Sequence, residues 1–257
     1  MIRSLLIRGM IAGLVAGLLG FGFARTFGEP AVARAIAFEE KHEHAHDDDK
    51  SAANAHDHDG DEELVSRDTQ AGLGLFTGVA VFGTALGGIF SLVFAFAYGR
   101  LGALHARGTS ALLATLGFVS VAIVPLIKYP PNPPAIGNPE TIGPRTALFF
   151  GMLAISVAAA VFAVWLQRRL HARHGNWNAT IIAGASYVAL IAVAQIALPR
   201  VDEVPADFSA SLLWQFRVVA VGIQVIVWTT LGLLFGALAA REVERPALAQ
   251  RRGLSAG

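Results

Sequence analysis

The chain contains no cysteine and only three methionines among its 257 residues. The lack of cysteine excludes disulfides, thiolate metal sites and thiol-based catalysis. The scarcity of methionine disfavours a soft-ligand route for copper(I). Charge is also scarce, because only 15% of the residues are charged, whereas soluble domains average about 25%. Long uncharged runs account for this deficit, and such runs are typical of helices that cross a membrane.

Six apolar runs are long enough to cross a bilayer, since about 20 helical residues at 1.5 Å each span the hydrocarbon core. They predict an all-α integral membrane protein, a bundle of about six transmembrane helices with a His/Asp-rich extracytoplasmic loop. The predicted spans are Leu5–Ala24, Gly72–Tyr98, Ser110–Ile127, Thr146–Gln167, Thr180–Leu198 and Leu213–Ala239. The corresponding domains are a first helix (1–27), an exposed loop (28–70), a five-helix bundle (71–240) with a proline-rich outer loop (128–145), and a basic tail (241–257).

The distribution of arginines predicts the orientation of the spans. The short connections on one side of an alternating path carry only Lys128, Arg145 and Arg200. Because short cytoplasmic segments collect lysine and arginine, we expect both termini in the cytoplasm and the His/Asp loop outside the inner or plasma membrane. The arginines on the predicted cytoplasmic side are Arg3, Arg8, Arg100, Arg107, Arg168, Arg169, Arg173, Arg241, Arg245, Arg251 and Arg252.

The first span has a second interpretation. Its Arg-bearing start, its apolar run and the later Ala31-Val-Ala33 also resemble a secretory signal with a cleavage site. The run is long for a signal, however, and Gly9, Gly13 and Gly17 are spaced four apart, which lets helices approach closely in lipid. We therefore expect an uncleaved anchor, whereas cleavage would leave five spans and the same exposed loop.

Five of the eight histidines lie in the acidic segment after the first span. Imidazoles alternating with carboxylates suit divalent first-row metals. In an extended chain alternate side chains point the same way, so the first three histidines could reach one ion. Eleven acidic and few apolar residues between Glu39 and Glu63 predict disorder without metal. The plainer alternative is a solvated acidic loop. The predicted metal ligands are His42, His44, His46, His56, His58, Asp47, Asp57 and Asp59.

No predicted span carries an ionisable residue near its centre, which disfavours a proton-driven antiporter with buried carboxylates. Glutamines occur in two spans, although a glutamine there more often bonds a neighbouring helix. Acidic residues cluster at the predicted outer rim, where they could receive a cation from the loop; ordinary interface anchoring is the alternative. The candidate transport-path residues are Glu29, Glu39, Glu140, Asp202, Glu203, Asp207, Gln195 and Gln224.

Other functional classes find little support in the sequence. The glycines of the second span are not followed by Gly-Lys-Ser/Thr, so they form no phosphate loop and predict no ATP hydrolysis. His105, His171 and His174 lie beside arginines, which disfavours cation binding there. No basic patch with interleaved aromatics predicts nucleic-acid binding. We therefore expect no enzyme and no organic cofactor.

Several strings resemble the CbtA family of proposed cobalt-transporter subunits, most closely its actinobacterial branch. They are Val124-Pro-Leu-Ile-Lys-Tyr-Pro-Pro-Asn-Pro-Pro134, Glu140-Thr-Ile-Gly-Pro-Arg-Thr146, and Val204-Pro-Ala-Asp-Phe208 leading to Leu213-Trp-Gln-Phe-Arg217. The resemblance implies a polytopic membrane protein, cobalt import linked to cobalamin metabolism, and a small His-bearing single-span partner, CbtB. The chain departs from some members in lacking very long His-x-His repeats, which leaves the number of loop-bound ions open.

Two functional hypotheses follow. The first is a permease or permease subunit for divalent cations, most of all Co²⁺ with Ni²⁺ or Zn²⁺ as alternatives, in which the loop captures the ion as cargo. The second is a non-transporting membrane scaffold or metal sensor that presents metal to a partner. A membrane metalloenzyme would need an ordered three-ligand site and a positioned base. Association with further copies of the chain stays open.

Overall fold

The computed structural model describes residues 1–48, 69–134, 136–137 and 139–244, and within these ranges all regular structure is helical. Five helices are long and apolar enough to cross a membrane, which confirms the predicted all-α membrane fold. Short π-helical turns interrupt several of them. The α-helices are α1 (Ile2–Phe23), α2 (Glu29–Asp48), α3 (Leu75–Ala97), α4 (Ala106–Gly117), α5 (Val124–Lys128), α6 (Ile142–Ala197), α7 (Ala210–Thr230) and α8 (Gly236–Val243).

Helix α6 is a hairpin that contains two of the predicted spans. Gly175 interrupts it with a φ of 71°, a left-handed conformation that glycine adopts readily. The hydroxyls of Ser156 and Tyr187, on opposite sides of that glycine, lie 3.0 Å apart. In a straight helix 31 residues would separate them by about 46 Å. The two arms therefore run antiparallel, and the five apolar helices contain six successive apolar segments.

The first helix is longer than the sequence predicts. A π-helical turn at Ala24–Gly28 joins α1 to α2, so helical backbone occupies the first part of the predicted loop 28–70. The turn precedes Pro30, which cannot donate a backbone hydrogen bond. Alanines then favour helix, and the buried Ala31 and Ala35 pack in one cluster with Phe208. Packing in the folded protein thus extends the helix beyond the apolar span.

Glycines bring α1 and α3 into backbone contact along an antiparallel pair. A methyl group added to Gly83 would lie 2.6 Å from the carbonyl oxygen of Gly13 and 3.1 Å from the Cα of Gly17. One added to Gly87 would lie 2.8 Å from the Cα of Gly13. The glycine spacing of the first span therefore does what the sequence predicts, because only hydrogen side chains allow this approach.

The last apolar helix, which comprises α7 and α8, packs on the third, which comprises α4 and α5, through small residues and aromatic rings. Trp228 of α7 is 6% exposed, and its ring lies against Gly117, where any side chain would collide with it. The hydroxyl of Ser110 donates to the carbonyl of Gly232 at 2.8 Å. Phe90 makes edge-to-face contacts with both Trp228 and Phe235. These contacts form the largest apolar core of the bundle.

The two ends of the bundle differ in character. At one end, here the arginine end, Arg8 pairs with Glu242, and Arg100 and Arg168 line one cavity. The other end, here the cap end, carries the proline-rich connection and the linkages of Lys128, Arg145, Glu203 and Arg217. The described chain begins and finishes at the arginine end, in agreement with an even number of crossings.

Candidate functional site

The cap end is fastened to the hairpin by Lys128 and Tyr129. Helix α5 stops there because Tyr129 precedes Pro130, and a residue before proline avoids helical backbone. The Lys128 ammonium donates to the carbonyls of Gln195 and Leu198 at 2.6 and 2.8 Å, and the Tyr129 hydroxyl donates to the Pro199 carbonyl at 3.0 Å. A cation at a helix C-terminus satisfies free carbonyls and interacts favourably with the helix dipole.

Two arginines hold the proline-rich connection in place. Arg145 pairs with Glu203 at 2.7 Å, with both side chains half-buried. Gly137 has a φ of 124°, and a side chain there would collide with this pair, so glycine is required for both reasons. Arg217 of α7 donates to the Asn132 side chain at 3.0 Å and to the Pro131 carbonyl at 3.4 Å. The cap therefore links the proline-rich connection to α7, to the hairpin, and to the connection between the hairpin and α7.

A cavity of about 700 Å³, the cap cavity, lies beneath this connection. Its wall combines the proline run with aromatic rings, and Arg145 is its charged residue. The residues that line it are Leu126, Tyr129, Pro130, Pro131, Asn132, Pro133, Pro134, Ile136, Arg145, Thr146, Phe149 and Phe216. No described acidic residue lines it. A cation entering here would meet backbone carbonyls and an arginine, and not a ring of carboxylates.

The rim carboxylates lie on separate elements around the cap. Glu29 begins α2, and Glu140 lies in the short turn Pro139–Thr141. Asp202, Glu203 and Asp207 lie between α6 and α7, and Glu203 is the partner of Arg145. The side chain of Glu39 is outside the described part of the chain. Among the described side chains, no group of three or more histidines and carboxylates is close enough to hold a metal ion.

The His/acid segment is described only in part, and only as backbone. His42, His44, His46 and Asp47 lie on helix α2, so the expectation of an extended chain at these positions does not match the structure. Helical positions four apart share a face, whereas positions two apart do not. On this helix, positions 42 and 46 therefore share one face, and position 44 does not lie on it. His56, Asp57, His58 and Asp59 lie outside the described residues.

The two interior glutamines belong to different environments. Gln195 lies on the hairpin, and its amide donates to the Val124 carbonyl at 3.4 Å. Gln224 lies on α7 and accepts a hydrogen bond from the Trp228 indole at 3.2 Å, within the aromatic core. Both make protein contacts, as glutamines within a span commonly do. Only Gln195 lies at the interface between the hairpin and the third apolar helix.

A packed layer separates the cap cavity from a second cavity along this same interface. The layer contains the fully buried Met152 together with Val124, Tyr129 and Ala194. Phe149 lines the cap cavity and Ala160 lines the second one, a separation of about 16 Å along the first arm. The Ser156–Tyr187 hydrogen bond crosses between the arms within this interval. The interface thus has an opening at each end and a closed middle.

The second cavity, here the arginine-end cavity, has a volume of about 920 Å³ and lies between α4 and the two hairpin arms. Its walls are mainly leucine, valine, alanine and glycine. Arg100, Arg168 and His171 line it and are exposed, so they mark its opening. The sequence predicted these residues as topology markers but did not show that they meet in one cavity. These residues are distant in sequence, and the fold brings them to one cavity.

Carboxylates at the arginine end have partners within the protein. Glu242 pairs with Arg8, and Glu244 accepts a hydrogen bond from the backbone N–H of Ala106 at 2.7 Å. Burial, and secondarily the charge of Glu244, raise the pKa of the Tyr98 phenol above its ordinary value. Burial likewise raises the pKa of Tyr129 at the cap. Both phenols therefore remain neutral hydrogen-bonding groups at physiological pH.

Comparison with protein families identifies the chain's relatives. The family described as "Probable cobalt transporter subunit (CbtA)" matches residues 2–240.

The chain belongs to the CbtA family.

Its membership confirms the resemblance drawn from the sequence, and it supports a role in cobalt transport for this multi-pass membrane protein. No curated protein and no solved structure matches the chain.

The strings that resemble the CbtA family meet at the cap, although they are far apart in sequence. Lys128 and Asn132 come from the proline-rich string, and Arg145 from the string that follows it. Arg217 completes the string on α7 and contacts Asn132. Phe208 packs below, in the cluster that holds α2. The most distinctive residues of this CbtA chain therefore build one structure and are not scattered over the bundle.

Proposed function

We propose that this CbtA-family chain is a permease subunit for divalent transition-metal cations, with Co²⁺ as its principal cargo and uptake as its direction. The observation that carries the proposal is the family match, which extends over every apolar segment of the bundle. We further propose that the chain is not an enzyme and that the metal is cargo. Its link to cobalamin metabolism and to a small single-span partner follows from the family resemblance.

The His/acid segment is proposed to capture the ion before transport. Helix α2 carries the chain beyond the apolar part of the first helix and toward this segment. Nitrogen and oxygen ligands of this kind bind several first-row divalent ions, so the segment provides capture and the membrane core must provide selection. The proposed ligands are His42, His44, His46, His56, His58, Asp47, Asp57 and Asp59.

The proposed orientation puts the arginine end in the cytoplasm and the cap outside. It is supported by the presence of Arg8, Arg100 and Arg168, which are distant in sequence, at one end of the bundle, since lysine and arginine collect on the cytoplasmic side. Both termini are then cytoplasmic, and the His/acid segment and cap face the same outer compartment. Capture and entry would therefore occur on one side of the inner or plasma membrane.

The proposed route begins among the rim carboxylates. It then follows the interface between the hairpin and the third apolar helix, here the hairpin interface. Glu29, Glu39, Glu140, Asp202 and Asp207 would raise the local cation concentration, while Glu203 is already paired with Arg145. Gln195 is proposed to face the route because it lies on this interface beside Val124 and Lys128, toward the cap cavity. Gln224 is the weaker candidate, since it lies in the aromatic core with Trp228.

A second candidate function is a scaffold or sensor that presents metal to a separate pore. It is favoured by the packing of the interior, where both glutamines and the Ser156–Tyr187 pair have protein partners. Within the described ranges, no cluster of metal-binding side chains supplies ligands for an ion that crosses the bundle. The scaffold hypothesis predicts that changes at either glutamine leave metal accumulation unaltered.

Uptake of radioactive cobalt by cells expressing the full-length chain tests the proposal. The cells are compared with and without the small His-bearing single-span protein, and they are challenged with excess nickel, zinc and manganese. We expect cobalt accumulation that a tenfold excess of manganese does not abolish. No accumulation under either condition, in cells where the chain is inserted in the membrane, would overturn the cobalt-uptake proposal.

A matched pair of substitutions separates a permease subunit from a scaffold. Gln195→Leu removes the amide beside the hairpin interface, and Gln224→Leu removes the same group in the aromatic core. The permease proposal expects Gln195→Leu to lower the uptake rate several-fold and Gln224→Leu to change it little at equal membrane abundance. Unchanged uptake in both variants would support the scaffold.

A further inference from the structure

The arginine-end cavity has a structural origin in the uneven attachment of the hairpin. Near the cap, the hairpin packs against α5 and the π-helical turn Phe118–Ile123, with Met152 fully buried. Nearer the arginine end, the arms diverge from α4 and leave about 920 Å³ between them. Leu112 and Thr115 are exposed on α4 although they face the hairpin across this space. The cavity is thus a wedge that opens toward one membrane surface.

The walls of the wedge are mostly apolar. The polar side chains that also line it have hydrogen-bond partners within the protein; they are Thr115, Gln167, Asn176, Thr180 and Tyr187. Leucine and valine side chains cover α4 and its continuation, while the hairpin contributes small residues that leave room between the arms. The apolar wall residues are Leu112, Leu116, Val119, Ala160, Ala163, Val164 and Ala183. Within a bilayer such a space fills with a hydrocarbon group more favourably than with water, because water would find few hydrogen-bonding partners there.

The opening of the wedge is positively charged. Arg100, between α3 and α4, and Arg168, on the first arm of the hairpin, both line it, and His171 lines it too. One N–H group of Arg100 donates to the Phe96 carbonyl at 2.6 Å, which leaves further guanidinium donors for a ligand. No acidic residue lines the cavity within the described chain. The nearby Glu242 and Glu244 are engaged by Arg8 and by the Ala106 backbone.

We infer that this cavity binds an anionic phospholipid. Its phosphate lies between Arg100 and Arg168, and an acyl chain occupies the apolar wedge between α4 and the hairpin. Arginine recognises phosphate with several donors at once, and basic pockets between membrane helices suit anionic headgroups. The same two arginines repel a divalent cation, so the cavity is a poor resting site for the cargo. The inference requires membrane insertion alone and is independent of cobalt transport.

Native mass spectrometry of the full-length chain tests lipid binding directly. The protein is purified in a neutral detergent and given equal amounts of phosphatidylglycerol and phosphatidylcholine with the same acyl chains. We expect phosphatidylglycerol to be retained in preference to phosphatidylcholine. Glycerol phosphate, which has the charged group but no acyl chain, should not displace it. Equal retention of both lipids, or displacement by glycerol phosphate, would overturn the inference.

Matched charge variants locate the site. The double variant Arg100→Gln/Arg168→Gln should lower the retention ratio of the two lipids by about fivefold for each charge removed. The control double variant Arg169→Gln/Arg173→Gln removes the same charge from the same end, at positions that do not line the cavity. The control should keep the ratio of the unaltered protein. The same loss in both double variants would mean that general surface charge, and not this cavity, binds the lipid.

A third variant tests the apolar part of the site. Ala163→Phe adds bulk to the wall of the cavity without changing its charge. It should reduce phosphatidylglycerol retention several-fold while Arg100 and Arg168 remain in place. Single variants Arg100→Gln and Arg168→Gln keep the test valid if a double variant fails to fold. Unchanged retention in Ala163→Phe and in both single variants would refute the proposed position.

Discussion

The α1–α3 interface and the hairpin interface are built on opposite principles. Along α1 and α3, glycines bring two backbones together so closely that an added methyl group on Gly83 has no room. The hairpin interface, in contrast, has a cavity at each end. Gly184 on the second arm has open space where a methyl group would lie. Tight backbone packing suits a fixed frame, whereas a partly packed interface leaves space for ligands and for rearrangement.

The largest expected effect comes from adding a methyl group to the tight interface. Gly83→Ala should destabilise the protein by about 2–3 kcal/mol, because the new Cβ meets the backbone of α1 on two sides. Gly78→Ala on the same helix is the control, since nothing lies within 4 Å of its added methyl group. Thermal unfolding in detergent, followed by tryptophan fluorescence, measures the difference. Equal unfolding temperatures would refute the close approach.

A smaller loss of stability is expected where Lys128 of the cap binds the end of the hairpin. Lys128→Met keeps much of the side-chain length but removes both charge-assisted bonds to the Gln195 and Leu198 carbonyls. We expect a destabilisation of about 1.5 kcal/mol from the loss of the charged donor. Hydrogen exchange should also rise at the end of the second arm more than in α1. Uniform exchange across both regions would contradict a local fastening role.

The Arg145–Glu203 pair should contribute less still. Both side chains are half-buried, so solvent screens part of their attraction. A double-mutant cycle with Arg145→Ala and Glu203→Ala should give a coupling energy of about 1 kcal/mol that falls as salt is raised. Chemical or thermal unfolding of the four proteins provides the measurement. A coupling energy of zero at low salt would show that the pair does not stabilise the cap.

The smallest effect is expected at the hairpin, and it has the opposite sign. Gly184→Ala should stabilise the protein by about 0.5 kcal/mol, because alanine favours helix over glycine and its methyl group meets no neighbour. The same unfolding assay used for Gly83→Ala makes the two results directly comparable. A clear destabilisation at Gly184 would mean that the hairpin is packed as tightly as the α1–α3 frame.

Much of the fold was predictable because apolar length and glycine spacing are local properties of the chain. The runs that predicted six spans appear as six apolar segments, and Gly9, Gly13 and Gly17 lie at a close helix contact as their spacing indicated. The extension of α1 into α2 was missed. Its buried Ala31 and Ala35 are stabilised by residues some 170 positions away, such as Phe208, and no local pattern records that contact.

The candidate site was less predictable than the fold. The sequence indicated a set of rim carboxylates, but it did not reveal that Glu203 is paired with Arg145. It grouped Gln195 with Gln224, although the two lie in different interfaces. No sequence pattern marks Tyr187, yet its hydroxyl links the two hairpin arms. A polar side chain in an apolar run shows that a partner is needed, but not which residue supplies it.

The sequence by itself determined the membrane class, the number of apolar segments and the family, since these depend on composition, run length and short strings. Only the tertiary structure decided that the family-like strings meet at one cap, and that Arg100 and Arg168 line one cavity. The physical reason is that hydropathy acts residue by residue along the chain. A cavity or a hydrogen bond depends instead on which distant helices come together and on how closely their side chains allow them to pack.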